Sequence, residues 1–161
     1  MVEERVYRLL MKKDKTLATA ESCSGGLMAH RLTNIPGVSK VFLLGVVSYS
    51  NEAKSRVLGV DAEAIETYGA VSAEVASQMA EGVRRLAGSD IGVGITGIAG
   101  PTGGSKEKPV GTVYMALSFP EAEVSKASRF NFTGDRISIK TQTAEMALDW
   151  LCRVLEDFEI S

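Results

Sequence analysis

The stretch TLATAESCSGG, residues 16–26, joins a short extended segment to a loop rich in hydroxyl groups and glycine. Thr16 to Ala20 has the apolar and β-branched character of a strand, and the loop follows it without a break. Leu27 to Asn34 is then predicted to be a helix, because Pro36 and Gly37 stop it. A strand that passes through a short loop into a helix is typical of α/β proteins.

Helices and strands alternate along the rest of the chain. Further strands are predicted at Val41 to Tyr49, Ile91 to Thr96, Thr112 to Ser118 and Val124 to Phe132. Four further helices are predicted. Val2, Val6, Leu9 and Leu10 recur at helical spacing, and Asn51 is predicted to cap a short helix. A third helix is predicted to begin after Ser72 and stop at Gly88, and a fourth runs from Asp135 to Asp157, with Phe158 extending its apolar face.

These elements predict an α/β protein with a three-layer α/β/α sandwich around a mixed, mostly parallel sheet. The apolar run from Val41 to Tyr49 is typical of a strand covered on both faces. Pro120, Glu121 and Ala122 are predicted to join the last two strands as an antiparallel hairpin, which makes the sheet mixed. Length favours a single domain spanning residues 1–161.

Composition narrows the classes of function. A net charge of −2 leaves no general basic surface for nucleic acid or anionic membranes, so a small-molecule partner is expected. The longest apolar run, Val41 to Val47, is far too short to span a membrane. One histidine and two cysteines supply no plausible metal site, so no metal or cofactor is predicted. An N-terminal sequence without an apolar signal core indicates a reduced, cytoplasmic protein.

Six of the sixteen glycines lie between Gly92 and Gly104. Gly92 to Gly97 formally matches the GxGxxG dinucleotide motif, but its first two glycines fall inside a predicted strand and no helix follows. Backbone amides and hydroxyls of the next loop could surround an anion, and the candidate residues are Thr96, Gly97, Gly100, Thr102, Gly103 and Gly104. The alternative is a loop shaped only by its turns.

The loop after the first strand offers a nucleophile. Ser22 could attack a carbonyl, while the amides of Ser24, Gly25 and Gly26 form an oxyanion hole near the start of a helix. The alternative is that Ser22 or Ser24 caps this helix. Cys23 is the rival nucleophile, although a small buried packing residue is the simpler interpretation. Similarly, His30 is expected at the surface and not as a base.

A serine nucleophile then needs another proton acceptor. Tyr49 and Lys54 follow a predicted strand and offer a phenol and an amine. A lysine acts as a base only when it is neutral, which requires burial, and the alternative for Lys54 is a solvated side chain. Arg136 at the start of the last helix could bind a phosphate or form a salt bridge with Asp135.

Several segments together resemble the C-terminal domain of the competence/damage-inducible CinA family. They are AESCSGG at Ala20 to Gly26, VSYSNEAKSRVLGV at Val47 to Val60, GAVS at Gly69 to Ser72, GITGIAGPTGG at Gly94 to Gly104 and KPVGTVY at Lys108 to Tyr114. Their order and spacing cover nearly the whole chain. The family commonly has threonine where this chain has Ser24, which also supplies a hydroxyl.

The resemblance implies hydrolysis of the carboxamide of nicotinamide mononucleotide to nicotinate mononucleotide and ammonia, without a metal, in pyridine-nucleotide salvage. It implies that Ser22 is the nucleophile, that Tyr49 and Lys54 assist it, and that Thr96 and Arg136 bind substrate. It also implies a homodimer with its site near the subunit interface. The alternative is a non-catalytic nucleotide-binding or regulatory module that uses the same pocket.

Overall fold

The computed structural model describes residues 1–121 and 125–157. The helices in these ranges are α1 (Val2–Lys13), α2 (Leu27–Thr33), α3 (Asn51–Leu58), α4 (Ala62–Tyr68), α5 (Ala73–Ala87) and α6 (Arg136–Asp157), with a 3-10 turn at Val38–Lys40. The strands are β1 (Leu17–Glu21), β2 (Phe42–Val47), β3 (Ile91–Gly97), β4 (Thr112–Ser118) and β5 (Lys126–Asn131).

The strands form one sheet in the order β2-β1-β3-β4-β5. Strand β1 pairs in parallel with both β2 and β3, whereas β4 runs antiparallel to its neighbours β3 and β5. Strand β5 therefore runs in the same direction as β1, β2 and β3. The predicted α/β fold and the mixed, mostly parallel sheet are confirmed.

Helices cover both faces of this sheet. Helices α1, α2 and α6 pack on one face, around the side chains of Leu17, Val93 and Ile95. Helix α5 packs on the other face with α3 and α4 beside it, against Ala18 and Ala20. One apolar cluster therefore fills the space between the sheet and each helical layer, which gives the three layers that the sequence predicts.

The GxGxxG match in β3 has a packing explanation. Gly92 and Gly94 face α5, where an added Cβ would lie 2.1 Å from the Ala80 carbonyl oxygen and 2.2 Å from the Ala76 carbonyl oxygen. Real Cβ atoms do not approach a backbone oxygen so closely. The glycines therefore let the backbone of α5 rest directly on the sheet, and they are part of the core.

Two local predictions are wrong. Strand β2 is an edge strand with alternating burial, so Leu43 and Val47 are exposed and the strand is not covered on both faces. Ser50, not Asn51, caps α3, because the Ser50 hydroxyl accepts a hydrogen bond from the amide of Ala53. The predicted cap at Ser72 and stop at Gly88 of α5 are confirmed.

Helix α4 and the 3-10 turn are not predicted from the sequence pattern. Pairing of β4 with β5 confirms the antiparallel arrangement, while the predicted turn residue Ala122, the predicted strand start Val124 and Phe158 lie outside the described residues. Across the two described ranges, no helix is long and apolar enough to cross a membrane.

Candidate active site

A cavity of about 270 Å³ opens at the end of the sheet where β1, β2 and β3 terminate. Ser22 and Cys23 enter it directly after β1, and the segment from Tyr49 to Lys54 enters it after β2. Ala70 and Val71 form a third side, the loop after β3 a fourth, and Arg136 closes the rim. Ligand sites of α/β proteins lie at this edge because the carboxyl ends of parallel strands converge there.

Ser22 and Lys54 lie together in the deepest part of the site. Parallel pairing places Glu21 opposite Val47, so the residues that follow the two strands are neighbours. The Nζ atom of Lys54 is 3.0 Å from Ser22 Oγ, 3.0 Å from the Ser48 carbonyl oxygen and 3.2 Å from the Tyr49 carbonyl oxygen. Lys54 is only 2% exposed, which removes the alternative of a solvated lysine.

Burial works against the charged form of Lys54. Burial lowers the pKa of Lys54, and the three oxygen atoms within hydrogen-bond distance of its amine are uncharged. A neutral amine can donate its two N–H groups to the Ser48 and Tyr49 carbonyls. Its lone pair then points at Ser22 Oγ, which is the arrangement that a general base needs.

Cys23 is a poor rival for Ser22. It is 5% exposed, and burial together with the nearby Glu21 carboxylate raises the pKa of its thiol to about 12. A thiol with this pKa carries almost no thiolate at neutral pH, and the thiolate is the nucleophilic form. The sulfur packs toward Gly97, where an added Cβ would lie 3.0 Å away from it.

The predicted oxyanion hole is not brought to the cavity. The amide of Gly25 donates to the Ser22 carbonyl at 3.0 Å, and the backbone turns away at Gly25 and Gly26, which both have positive φ. Ser24, Gly25 and Gly26 instead line a separate groove beside α6. Exposed His30 also lies in that groove, away from Ser22, as a surface residue.

Glu21, the last residue of β1, has a role that the sequence pattern does not reveal. Its buried carboxylate accepts hydrogen bonds from Ser24 Oγ at 2.7 Å, from the Met28 amide at 2.9 Å and from the Ala29 amide at 3.0 Å. Glu21 therefore caps α2, and neither serine does so. It stands six residues before the helix begins, outside the positions at which sequence patterns reveal a cap.

Tyr49 and Arg136 form the outer part of the site. Arg136 donates from Nη1 to the Gly100 carbonyl and from Nη2 to the Tyr49 hydroxyl, both at 2.6 Å. The phenol of Tyr49 therefore faces Arg136, while only its backbone carbonyl contacts Lys54. Asp135 accepts from the Ser138 amide, so its side chain caps α6 and the alternative salt bridge is not formed.

The end of β3 and the loop after it supply five of the six predicted residues to the cavity. Those that line it are Thr96, Gly97, Gly100, Thr102 and Gly103. Gly104 does not line it, because it packs on the next part of the loop, where an added Cβ would lie 2.7 Å from the Val110 amide nitrogen. Turn packing thus accounts for Gly104, and anion binding by the other five residues stays a prediction.

No group of three His, Cys, Asp or Glu side chains that could hold a metal ion occurs in residues 1–121 and 125–157. The polar side chains that line the cavity carry hydroxyl, thiol, phenol, carboxamide, amine and guanidinium groups.

Comparison with known proteins matches this chain to one protein family over nearly its whole length. The profile of the family described as "CinA C-terminal domain" matches residues 1–155. A relative from Caldanaerobacter subterraneus subsp. tengcongensis, whose name refers to competence-damage induction, is 53% identical over 159 residues, which are 99% of this chain and 38% of that protein. A CinA-like protein of Geobacter sulfurreducens is 51% identical over 154 residues, 96% of this chain and 37% of its own length. This chain thus spans little more than a third of these curated relatives.

Solved structures agree with this match. The CinA superfamily protein from Klebsiella pneumoniae 700603 is 37% identical, with a TM-score of 0.92 over 98% of this chain and 97% of its own. The competence/damage inducible protein from Agrobacterium tumefaciens is 39% identical, with a TM-score of 0.88 over 97% of this chain and 96% of its own.

Proposed function

Because the chain belongs to the family of the CinA C-terminal domain, we propose that it hydrolyses the carboxamide of nicotinamide mononucleotide to nicotinate mononucleotide and ammonia. The observation that carries the proposal is the 3.0 Å separation of Lys54 Nζ and Ser22 Oγ at the bottom of a cavity. A hydroxyl beside a buried amine is one of the nucleophile–base pairs that support amide hydrolysis without a metal.

The reaction proceeds through an acyl-enzyme. Neutral Lys54 takes the proton of Ser22 while Oγ attacks the carboxamide carbon, which gives a tetrahedral oxyanion. The resulting lysine ammonium protonates the amide nitrogen, the C–N bond breaks, and ammonia leaves. Water then attacks the Ser22 ester, Lys54 accepts its proton, and return of that proton to Ser22 Oγ releases nicotinate mononucleotide. The Cys23 amide, directly after the nucleophile, is the oxyanion donor that we propose in place of Ser24, Gly25 and Gly26.

The phosphate of the substrate lies at the outer end of the cavity in this proposal. Arg136 is the cation at the rim, and Thr102 and Gly103 belong to the glycine loop beside it. Thr96 lies deeper, where its hydroxyl donates to the Ala70 carbonyl at 2.8 Å. The guanidinium bonds to Gly100 and Tyr49 and not to Ser22 or Lys54, which supports separate places for the phosphate and the carboxamide. A cytoplasmic homodimer belongs to the same proposal and rests on the family resemblance alone.

The deciding experiment is to mix the purified protein with nicotinamide mononucleotide. Stoichiometric appearance of ammonia and nicotinate mononucleotide, measured by a coupled assay and by chromatography, is the expected result. A control with the substrate and EDTA should give the same rate. Tight binding of the nucleotide without ammonia release would refute the amidase and favour the non-catalytic nucleotide-binding module.

Arg136 provides a test of how the phosphate is held. Arg136→Ala should lower kcat/KM for nicotinamide mononucleotide about 10- to 100-fold, because a hydrogen bond to a charged group contributes about 1.5–3 kcal/mol. The same variant should hardly change the already low kcat/KM for nicotinamide riboside, which has no phosphate. The two deletions remove one interaction, so their effects do not add. Equal losses on both substrates would show that Arg136 acts through its bonds to Gly100 and Tyr49.

A further inference from the structure

One wall of the cavity has no regular secondary structure of its own. Gly69–Ser72 connects α4 to α5, and its Ala70 and Val71 line the cavity opposite Ser22. Irregular backbone of this kind holds its place only if other groups satisfy its carbonyls.

Side chains satisfy the carbonyls of this wall one by one. The Gly69 carbonyl accepts from Ser72 Oγ at 2.9 Å, and the Ala70 carbonyl accepts from Thr96 Oγ1 at 2.8 Å. The carbonyls of Tyr68, the last residue of α4, and of Val71 within the wall both accept from Lys108 Nζ, at 2.9 and 2.6 Å. One amine thus ties the wall to the end of α4.

Lys108 belongs to the loop that forms the facing wall. Its amide donates to Ser105 Oγ at 3.0 Å and its carbonyl accepts from the Ser105 amide at 2.8 Å, so the turn that carries it is fixed on both sides. The amine also lies 6.0 Å from the centre of the Tyr114 ring in β4. Lys108 itself does not line the cavity.

We propose that Lys108 is a positioning residue that clamps the Gly69–Ser72 wall against the glycine loop and thereby fixes the width of the substrate cavity. This inference rests on the proposed function. Neither Ser22 nor Lys54 forms a hydrogen bond with the clamp. Loss of the clamp should therefore weaken substrate binding and leave the chemical step in place.

Lys108→Met tests the clamp, with exposed Lys106→Met on the same loop as the matched control. We expect KM for nicotinamide mononucleotide to rise about tenfold in Lys108→Met, equivalent to about 1.4 kcal/mol, with kcat within about twofold of wild type. Lys108→Arg should recover most of the loss because a guanidinium can donate to both carbonyls. Lys106→Met should match the wild type.

Hydrogen exchange separates the clamp from the reaction. Without any substrate, peptides covering residues 68–72 should exchange faster in Lys108→Met, while peptides from β1 and β3 should not change. This measurement decides the clamp even if nicotinamide mononucleotide is not turned over, and Lys108→Gln replaces Lys108→Met if the latter is insoluble. Unchanged exchange at residues 68–72, or a fall in kcat with unchanged KM, would overturn the proposal.

Discussion

Ser22→Ala is expected to lower kcat for nicotinamide mononucleotide by about 10⁴-fold or more, because no acyl-enzyme can form without the hydroxyl. Cys23→Ala should keep most of the activity, since burial raises the pKa of this thiol to about 12 and leaves it protonated. The two neighbouring substitutions therefore separate the two candidate nucleophiles.

The measurement is the rate of ammonia release by both variants, with circular dichroism and thermal unfolding to confirm that each protein is folded. Cys23 packs in a buried position near Gly97, so a modest fall in stability of Cys23→Ala is compatible with the assignment. An active Ser22→Ala protein, or a folded Cys23→Ala protein without activity, would move the nucleophile by one residue.

Lys54→Met should lower kcat by about 10²- to 10⁴-fold, the range over which general bases contribute. The effect has a predictable pH signature. Burial lowers the pKa of Lys54, and only its neutral form accepts the Ser22 proton. The wild-type kcat/KM should therefore be low where the amine is protonated and should rise with pH as the amine becomes neutral. The midpoint of this rise should lie below the ordinary pKa of lysine.

Profiles of kcat/KM against pH for the wild type, for Lys54→Met and for exposed Lys40→Met provide the test. The rising limb should disappear in Lys54→Met and persist in Lys40→Met. A Lys54→Met protein with normal kcat and a raised KM would instead make this lysine a substrate contact, and the base would have to be sought elsewhere.

Much of the architecture could be predicted because it follows from local patterns. The Ser72 cap and Gly88 stop of α5 and the alternation of helices with apolar strands depend on nearby residues only. The position of β2 depends on strand order, which the sequence does not state, so an apolar run was assigned to the buried interior although it forms an edge. Leu43, Gly45 and Val47 are the exposed positions of β2 and alternate with partly buried positions, which is the pattern of a strand with one face in solvent.

The same distinction between local and non-local information applies to the candidate site. Ser22 and Lys54 could be proposed from the chemistry of their side chains and from the resemblance, although their contact depends on the sheet. Gly25 and Gly26 have positive φ and lie in the groove beside α6 and not in the cavity, a placement that the sequence pattern does not reveal. Glu21 and Lys108 bind backbone groups that are several to many residues away in the sequence, so their roles become visible only when hydrogen-bond partners are known.

The contact between Ser22 and Lys54 depends on the parallel register of β1 and β2, so the proposed activity requires correct pairing of these strands. Ser22 follows Glu21 by one residue, and the segment carrying Lys54 begins just beyond Val47, the residue that faces Glu21 across the sheet. A slip of one residue would displace one segment by about 3.3 Å and invert its side chains, which separates the amine from the hydroxyl. If the proposed amidase activity is found, its return during refolding would report when this non-local strand pair forms, which optical measurements of helix content do not detect.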